Sequence, residues 1–352
     1  MTVTKDIGLK PERQTMTVGN PVYLDAAKAP FSMHGLCEPY RRVPEDVAKN
    51  TSRDLENLGA MTAGGRIRFK TDSDYIIVQA NITAADTFGQ PQSSMLAKHG
   101  FNFYVKEGGM QKFGGIFFTY QGGDCTGFAE GRVRLKPGMK EITLYLPLFA
   151  KIDRLYIALR EGSEILPPDD YKYKKPVVFY GSSIVHGVGA TLASGAYPAV
   201  VSRMLDCDFV SLGFAGAARG EEAMINYIAG LDMSVLVYDY DHNAPTFEHL
   251  EKTHYAGYKR IREAQPDLPI IFATKVDYRP DVAGNEPRRR LIFDNYSRAL
   301  AEGDKNIRLV DGAAIFPPDI REECTADNCH PNGMGYFYMA KAIGEKVKEF
   351  LK

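Results

Sequence analysis

An apolar, β-prone run, Val177-Val178-Phe179-Tyr180, stops at Gly181-Ser182-Ser183-Ile184. Far downstream, Asp327-Asn328-Cys329-His330 sets a carboxylate three residues before an imidazole. These residue types are suited to attack on an ester carbonyl. A serine hydroxyl is a poor nucleophile until a base takes its proton, and histidine is the usual base near neutral pH. A carboxylate on the second ring nitrogen fixes the tautomer and stabilises the imidazolium. The oxyanion formed on attack needs preorganised N–H donors. Ser183 is therefore the expected nucleophile, His330 the base and Asp327 its orienter. Ser183 N–H, Gly216 N–H and the Asn243 amide are the expected oxyanion donors.

Each residue also has a plainer reading. Ser183 alone suits a helix cap, His330 a loop, Asp327 a turn into Pro331-Asn332-Gly333. Gly216 suits a tight turn and Asn243 an Asx turn before Pro245. Their joint arrangement favours the site. Ser182 is the rival nucleophile, and His186 and His242 are the rival bases. His186, Asp241 and His242 are expected to touch substrate rather than to move protons. Cys324, Cys329 and His330 match no zinc spacing, so no metal is expected.

The elements that must position these residues follow from two rhythms. From Arg66 to Leu159 short apolar runs alternate, as in Phe101-Asn102-Phe103-Tyr104-Val105 and Glu141-Ile142-Thr143-Leu144-Tyr145-Leu146. Turn clusters such as Lys136-Pro137-Gly138 and Gln121-Gly122-Gly123-Asp124 separate them. That pattern predicts an all-β sandwich or jelly roll over residues 1–170. Leu166-Pro167-Pro168-Asp169-Asp170 reads as the linker.

Residues 171–352 alternate strands with helices. Strands are expected at Val177–Tyr180, Phe209–Leu212, Val235–Tyr240, Pro269–Ala273 and Ile307–Val310. Helices are expected at Tyr197–Leu205, Glu221–Ile228, Phe247–Ala264 and Pro287–Ala301. A last helix would align Met339, Ile343, Val347 and Phe350. This alternation builds a parallel sheet covered on both faces. Ligands in such sheets sit beyond the carboxyl ends of the strands, where Ser183, the Gly213–Gly216 segment and Asn243 fall.

The 352 residues carry a formal net charge of -1, with no basic stripe to attract nucleic acid. No apolar run reaches bilayer length, and the first residues lack a signal-peptide core. Five scattered cysteines, Cys37, Cys125, Cys207, Cys324 and Cys329, are no disulfide framework. A reducing cytoplasm is the expected compartment. The chain has no Trp, so sugar stacking would fall to Tyr and Phe.

The same segments resemble the four blocks of the SGNH, or GDSL-like, hydrolases. Gly181-Ser182-Ser183-Ile184 is similar to the first block, and Val210-Ser211-Leu212-Gly213-Phe214-Ala215-Gly216 to the second. Tyr238-Asp239-Tyr240-Asp241-His242-Asn243 is similar to the third, and Asp327-Asn328-Cys329-His330 to the Asp-x-x-His block. Gly100-Phe101-Asn102-Phe103-Tyr104 resembles the Gly-x-Asp-Leu-Tyr motif of a β-domain that precedes some of these hydrolases. Two departures stand out: Ser182 replaces the usual aspartate of the first block, and Asp241-His242-Asn243-Ala244 replaces Gly-x-Asn-Asp. The resemblance implies a flavodoxin-like three-layer α/β domain with a parallel sheet behind a jelly-roll-like sandwich. It implies a cofactor-free serine esterase acting on a short acyl ester, acetyl on a carbohydrate first. The alternatives are an acyltransferase with the same acyl-enzyme and a carbohydrate-binding protein with a degenerate site. The expected partner is a small or oligosaccharide ester, with no nucleic acid and no membrane; the oligomeric state is left open.

Overall fold

A computed structural model describes residues 1–11, 19–85, 91–117, 126–277 and 279–352. The expected turn at Gln121-Gly122-Gly123-Asp124 lies outside the described residues. The chain forms two compact units: 1–41, 61–170 and 192–194 make the first, and 42–60, 171–191 and 195–352 the second. The chain does pass between units after Asp170. However, 42–60, expected to belong with the β-domain, packs with the second unit, and 192–194 packs with the first.

The first unit contains β1 (Pro21–Asp25), β2 (Ser32–His34), β3 (Arg66–Thr71), β4 (Tyr75–Ala85), β5 (Phe101–Glu107), β6 (Met110–Phe117), β7 (Gly127–Arg134), β8 (Lys140–Tyr145), β9 (Ala150–Arg160) and β10 (Ile165–Leu166). One antiparallel sheet runs β1-β9-β4-β7; the other runs β10-β3-β8-β5-β6, with β2 on β3. Inward residues of both sheets, among them Val22, Ile76, Val78, Phe69, Phe103, Ile142 and Ile157, share one core. Period-two patterning produces this packing, because alternate side chains of each strand face the same side. Asn102, in the Gly-x-Asp-Leu-Tyr position, is buried and donates from Nδ2 to Ser194 Oγ at 2.8 Å. Its Oδ1 accepts the Ser194 N–H at 3.3 Å. An amide does this reciprocal work where a carboxylate could only accept.

The second unit begins with α1 (Glu45–Thr51) and α2 (Arg53–Gly59), whose Ala48 and Leu55 join its core. The first unit then supplies the short α3 (Met95–His99). The sheet of the second unit consists of β11 (Tyr173–Gly181), β12 (Cys207–Gly213), β13 (Val235–Asp239), β14 (Ile270–Ala273) and β15 (Ile307–Val310), ordered β12-β11-β13-β14-β15. All its pairings are parallel. The helices are α4 (Ser183–His186), α5 (Tyr197–Leu205), α6 (Glu222–Ala229), α7 (Phe247–Ala264), α8 (Val282–Ala301) and α9 (Gly333–Lys348). This is the flavodoxin-like order, in which the chain changes direction across the sheet at its first strand. The crevice at that switch point is the favoured ligand site. Gly181 stands in register with Gly213 on one side and Asp239 on the other, so three strand ends arrive level there.

Several boundaries depart from the sequence expectation: β11 begins at Tyr173 rather than Val177, β12 at Cys207 rather than Phe209, and two helices differ as well. Helix α8 starts at Val282, not at Pro287, because Asp281 caps it by accepting the Gly284 N–H at 3.0 Å. Pro287 then sits inside the helix at the loss of one backbone bond. The final helix stops at Lys348, so Phe350 lies outside it and lies under the Arg308 guanidinium, 4.7 Å from its ring centroid.

Candidate active site

Ser183 is the first residue of the single-turn helix α4. Ser182 caps that turn: its Oγ accepts the Ile184 N–H at 3.2 Å, and the residue is fully buried. Ser183 is partly exposed. Burial and hydrogen bonding thus settle which serine can meet a ligand, and they give Ser182 the local support that the first-block aspartate would otherwise offer.

Ser183 Oγ lies 2.9 Å from His330 Nε2. His330 Nδ1 lies 2.8 Å from Asp327 Oδ2. An ionised carboxylate only accepts, so Nδ1 carries the hydrogen and Nε2 is left to accept from the serine. Asp327 Oδ1 accepts the Cys329 and His330 N–H groups at 3.1 and 2.7 Å. The same aspartate therefore makes the turn and orients the ring. Burial works to raise its carboxyl, but these hydrogen bonds from His330 and Cys329 outweigh it and hold it below the ordinary carboxylate value.

The loop bearing this pair is closed at its base by a bridge between Thr325 and Pro331 and by Ala326 N–H donating to His330 O at 2.8 Å. Asn328 takes a left-handed φ of 63° at the tip, a conformation asparagine tolerates. Asn332 Oδ1 accepts the Met334 and Gly335 N–H groups, capping α9, while its Nδ2 donates to Glu323 O at 2.6 Å. Gly189, with φ +91°, lies against this loop: a Cβ there would collide with Pro331 O and reach His330 Cβ at 3.4 Å. Tyr336, buried in α9, donates its hydroxyl toward Ile184 O and Val188 O, at 3.0 and 2.6 Å, on the serine side.

Two hydrogen bonds stitch the remaining blocks together. Phe214 N–H donates to Gly181 O at 2.9 Å, and Asn243 Nδ2 donates to Phe214 O at 2.8 Å. One Asn243 N–H is thereby used and its second remains as a donor. Gly216 has φ +70°, and a Cβ built there would meet nothing within 4 Å, so open space adjoins this stretch of backbone. Arg42, from the segment that crosses into this unit, donates to Gly213 O and to Leu58 O, the latter at 2.6 Å. It also lies 4.4 Å from the Phe214 ring centroid. Nothing in local spacing pointed to Arg42, Gly189 or Tyr336; each acts through contacts distant in sequence.

The expected substrate contacts divide. His186 is fully buried in α4 and Asp241 is 1% exposed, so neither offers a side chain to a ligand, contrary to expectation. Asp241 instead anchors the turn Asp241–Asn243: its Oδ1 accepts from Arg288 Nε at 2.8 Å, and Arg288 Nη2 also donates to the carbonyls of Asp241 and Ala244. His242 is enclosed, with Nε2 3.3 Å from Asp277 Oδ1. Burial is the main cause that pushes its imidazole down to about 4, so it is neutral at pH 7. Cys324 Sγ donates to Ile320 O at 3.3 Å and takes no part in the site. Beside the Asp327 loop a cavity of about 350 Å³ is lined by Asp277, Arg279, Arg321, Glu322, Thr325 and Asn328, among others.

A parallel sheet of flavodoxin-like order, with Ser183, His330 and Asp327 in one hydrogen-bonded chain at its switch point, fits the α/β fold of the SGNH class. Residues 174–348 match the model of the GDSL-like Lipase/Acylhydrolase family, and residues 22–165 match that of the N-terminus of Esterase_SGNH_hydro-type. The chain belongs to the SGNH/GDSL-like hydrolases that carry an N-terminal β-domain. A GDSL-like protein of Bacteroides ovatus is 25% identical, with a TM-score of 0.83 over 94% of this chain and 98% of its own. The salicylyl-acyltransferase SsfX3 of a tetracycline biosynthetic pathway is 20% identical, with a TM-score of 0.76 over 94% and 97%. A family two carbohydrate esterase from Clostridium thermocellum, in complex with cellohexaose, is 13% identical, with a TM-score of 0.59 over 82% and 92%. The last two speak for the fold alone. No curated protein matches the chain. Among the described residues, no helix is long and apolar enough to cross a membrane.

Proposed function

We propose that this protein is a serine esterase that hydrolyses short acyl esters, acetyl foremost, carried on a carbohydrate. The observation that carries the reading is the unbroken chain Ser183 Oγ–His330 Nε2–His330 Nδ1–Asp327 Oδ2, at 2.9 and 2.8 Å. Ser183 gives its proton to His330 Nε2 as Oγ attacks the acyl carbon. The oxyanion is received by Ser183 N–H, Gly216 N–H and the second N–H of the Asn243 amide. His330 then protonates the leaving sugar oxygen as the acyl–oxygen bond breaks. Water, deprotonated by His330, attacks the acyl-enzyme and restores Ser183. No step calls for a metal or organic cofactor.

One neighbour by fold is described as an acetyl xylan esterase, Est2A, from Butyrivibrio proteoclasticus, and that substrate class is carried here as part of the proposal. The test is labelling by a fluorophosphonate together with hydrolysis of aryl esters of increasing acyl length and of acetylated xylo-oligosaccharides. Labelling on Ser183 and fastest release of acetate are expected. Failure to label Ser183, with no aryl acetate turnover, rejects the mechanism and leaves a sugar-binding role. Product analysis with sugar acceptors separates hydrolysis from transfer: dominance of acylated acceptor at low acceptor concentration makes the protein an acyltransferase.

A further inference from the structure

His242, Asp277 and Cys329 come from three separate segments of the second unit, the first two just beyond the carboxyl ends of β13 and β14. Each presents one metal-ligand atom, and the three atoms lie within 4.8 Å of one another. None has a role in the acyl transfer outlined above. Asp277 Oδ1 is buried and receives no hydrogen bond of acceptable geometry, although His242 Nε2 lies 3.3 Å away. The Cys329 thiol hydrogen-bonds to the Asp277 carboxylate, so the three side chains already converge on one point that a cation could occupy once that proton leaves.

We propose that His242, Asp277 and Cys329 bind a borderline-soft divalent transition metal ion of the Zn²⁺ class, and that the bound ion slows acylation of Ser183. The donor set of one imidazole nitrogen, one thiolate and one carboxylate oxygen selects such ions over Mg²⁺ or Ca²⁺, which prefer oxygen alone. Bond lengths of about 2.0–2.3 Å place tetrahedral ligand atoms roughly 3.3–3.8 Å apart, so the three loops need close by only about 1 Å or so. Binding releases the Cys329 thiol proton to solvent. The thiolate and carboxylate then cancel the charge of the ion, and a fourth position stays open to water. Lys275 Nζ, 3.9 Å from Asp277 Oδ2, is the competing cation, but it also donates to Asn285 Oδ1 at 3.0 Å.

The consequence for activity follows from chain continuity. His242 precedes Asn243, and Cys329 precedes His330. An ion joining these loops fixes Asn243 and His330 at its own spacing.

The test is titration of the intact, reduced protein with Co²⁺, which reports thiolate ligation through a charge-transfer band in the near ultraviolet. The expected result is one equivalent bound with that band, lost in Cys329→Ser and in Cys329→Ala but kept in Cys37→Ser. Asp277→Asn is expected to weaken binding by about tenfold or more. Absence of the band, or its survival in both Cys329 variants, overturns the site. For the regulatory half, Zn²⁺ should slow fluorophosphonate labelling of the wild type and leave the rate of Cys329→Ala at its own metal-free value. Equal slowing in both overturns that half. The cobalt spectrum does not depend on esterase activity, so loss of the proposed function would leave the metal site standing, and the reverse.

Discussion

Arg288 Nε donates to Asp241 Oδ1 at 2.8 Å, and both residues are buried. The pair joins the turn before Asn243 to helix α8, and Arg288 Nη2 adds a bond to Ala244 O at 3.0 Å. Asn243 is thus held by a side chain 45 residues further along the chain that never meets a ligand. Removing one member of a buried ion pair leaves the other charge uncompensated. Arg288→Ala should therefore lose about 3–5 kcal/mol of stability, read by chemical denaturation, and should slow labelling of Ser183 at temperatures where the variant is still folded. A loss below about 0.5 kcal/mol would mean that the turn stands without this pair.

Asp327 both caps its turn and orients His330. Asp327→Asn keeps an acceptor for the turn but permits the wrong imidazole tautomer. The expected loss is about 10²–10⁴ in kcat, with the melting temperature nearly unchanged. Equal activity of the variant would assign esterolysis to Ser183 and His330 alone.

Gly189 combines φ +91° with a Cβ position that would collide with Pro331 O. Gly189→Ala should cost about 1–3 kcal/mol in backbone strain. It should also displace the His330 loop and lower kcat more than it raises KM. Wild-type kcat in a folded Gly189→Ala protein would show that the loop yields without moving the imidazole.

Asp239 lies at the end of β13, buried, and accepts the Tyr197 hydroxyl at 2.9 Å. Burial is the main cause that pushes its carboxyl up to about 8, with the Asp241 charge adding to it and the Tyr197 bond opposing. Unfolded, the group titrates near 3.9. Between those values the folded state holds one proton more than the unfolded state, so stability falls as pH rises through this window. Asp239→Asn removes that slope. Its melting temperature, relative to wild type, should climb from about pH 4 to about pH 8 and then level off. A difference that stays constant across the window would show that the carboxyl is ionised throughout.

Much of this was legible from local pattern. The change from period-two runs to strand–helix alternation announced two kinds of packing, and side-chain periodicity is a property of the chain itself. Ser183, Asp327 and His330 could be named because each stands in a short segment whose neighbours dictate its turn. The start of α8 was misread because proline favours a first helical turn, whereas the Asp281 cap set the helix five residues earlier.

What the tertiary structure decided was which polar side chains are covered. Sequence placed His186, Asp241 and His242 beside the site with equal claim. Burial withdrew the first two, and gave the third Asp277 and Cys329 as neighbours. It also brought in Arg42, Gly189, Arg288 and Tyr336. Apart from the Arg42–Leu58 bond, the hydrogen bonds of Arg42, Arg288 and Tyr336 join residues between about 40 and 170 positions apart, and no local rule relates residues so far apart. The sequence by itself determined the candidate reacting groups and the short segments that carry them. The three-dimensional packing alone decided how those groups are held, because burial and long-range hydrogen bonding exist only once the chain has closed on itself.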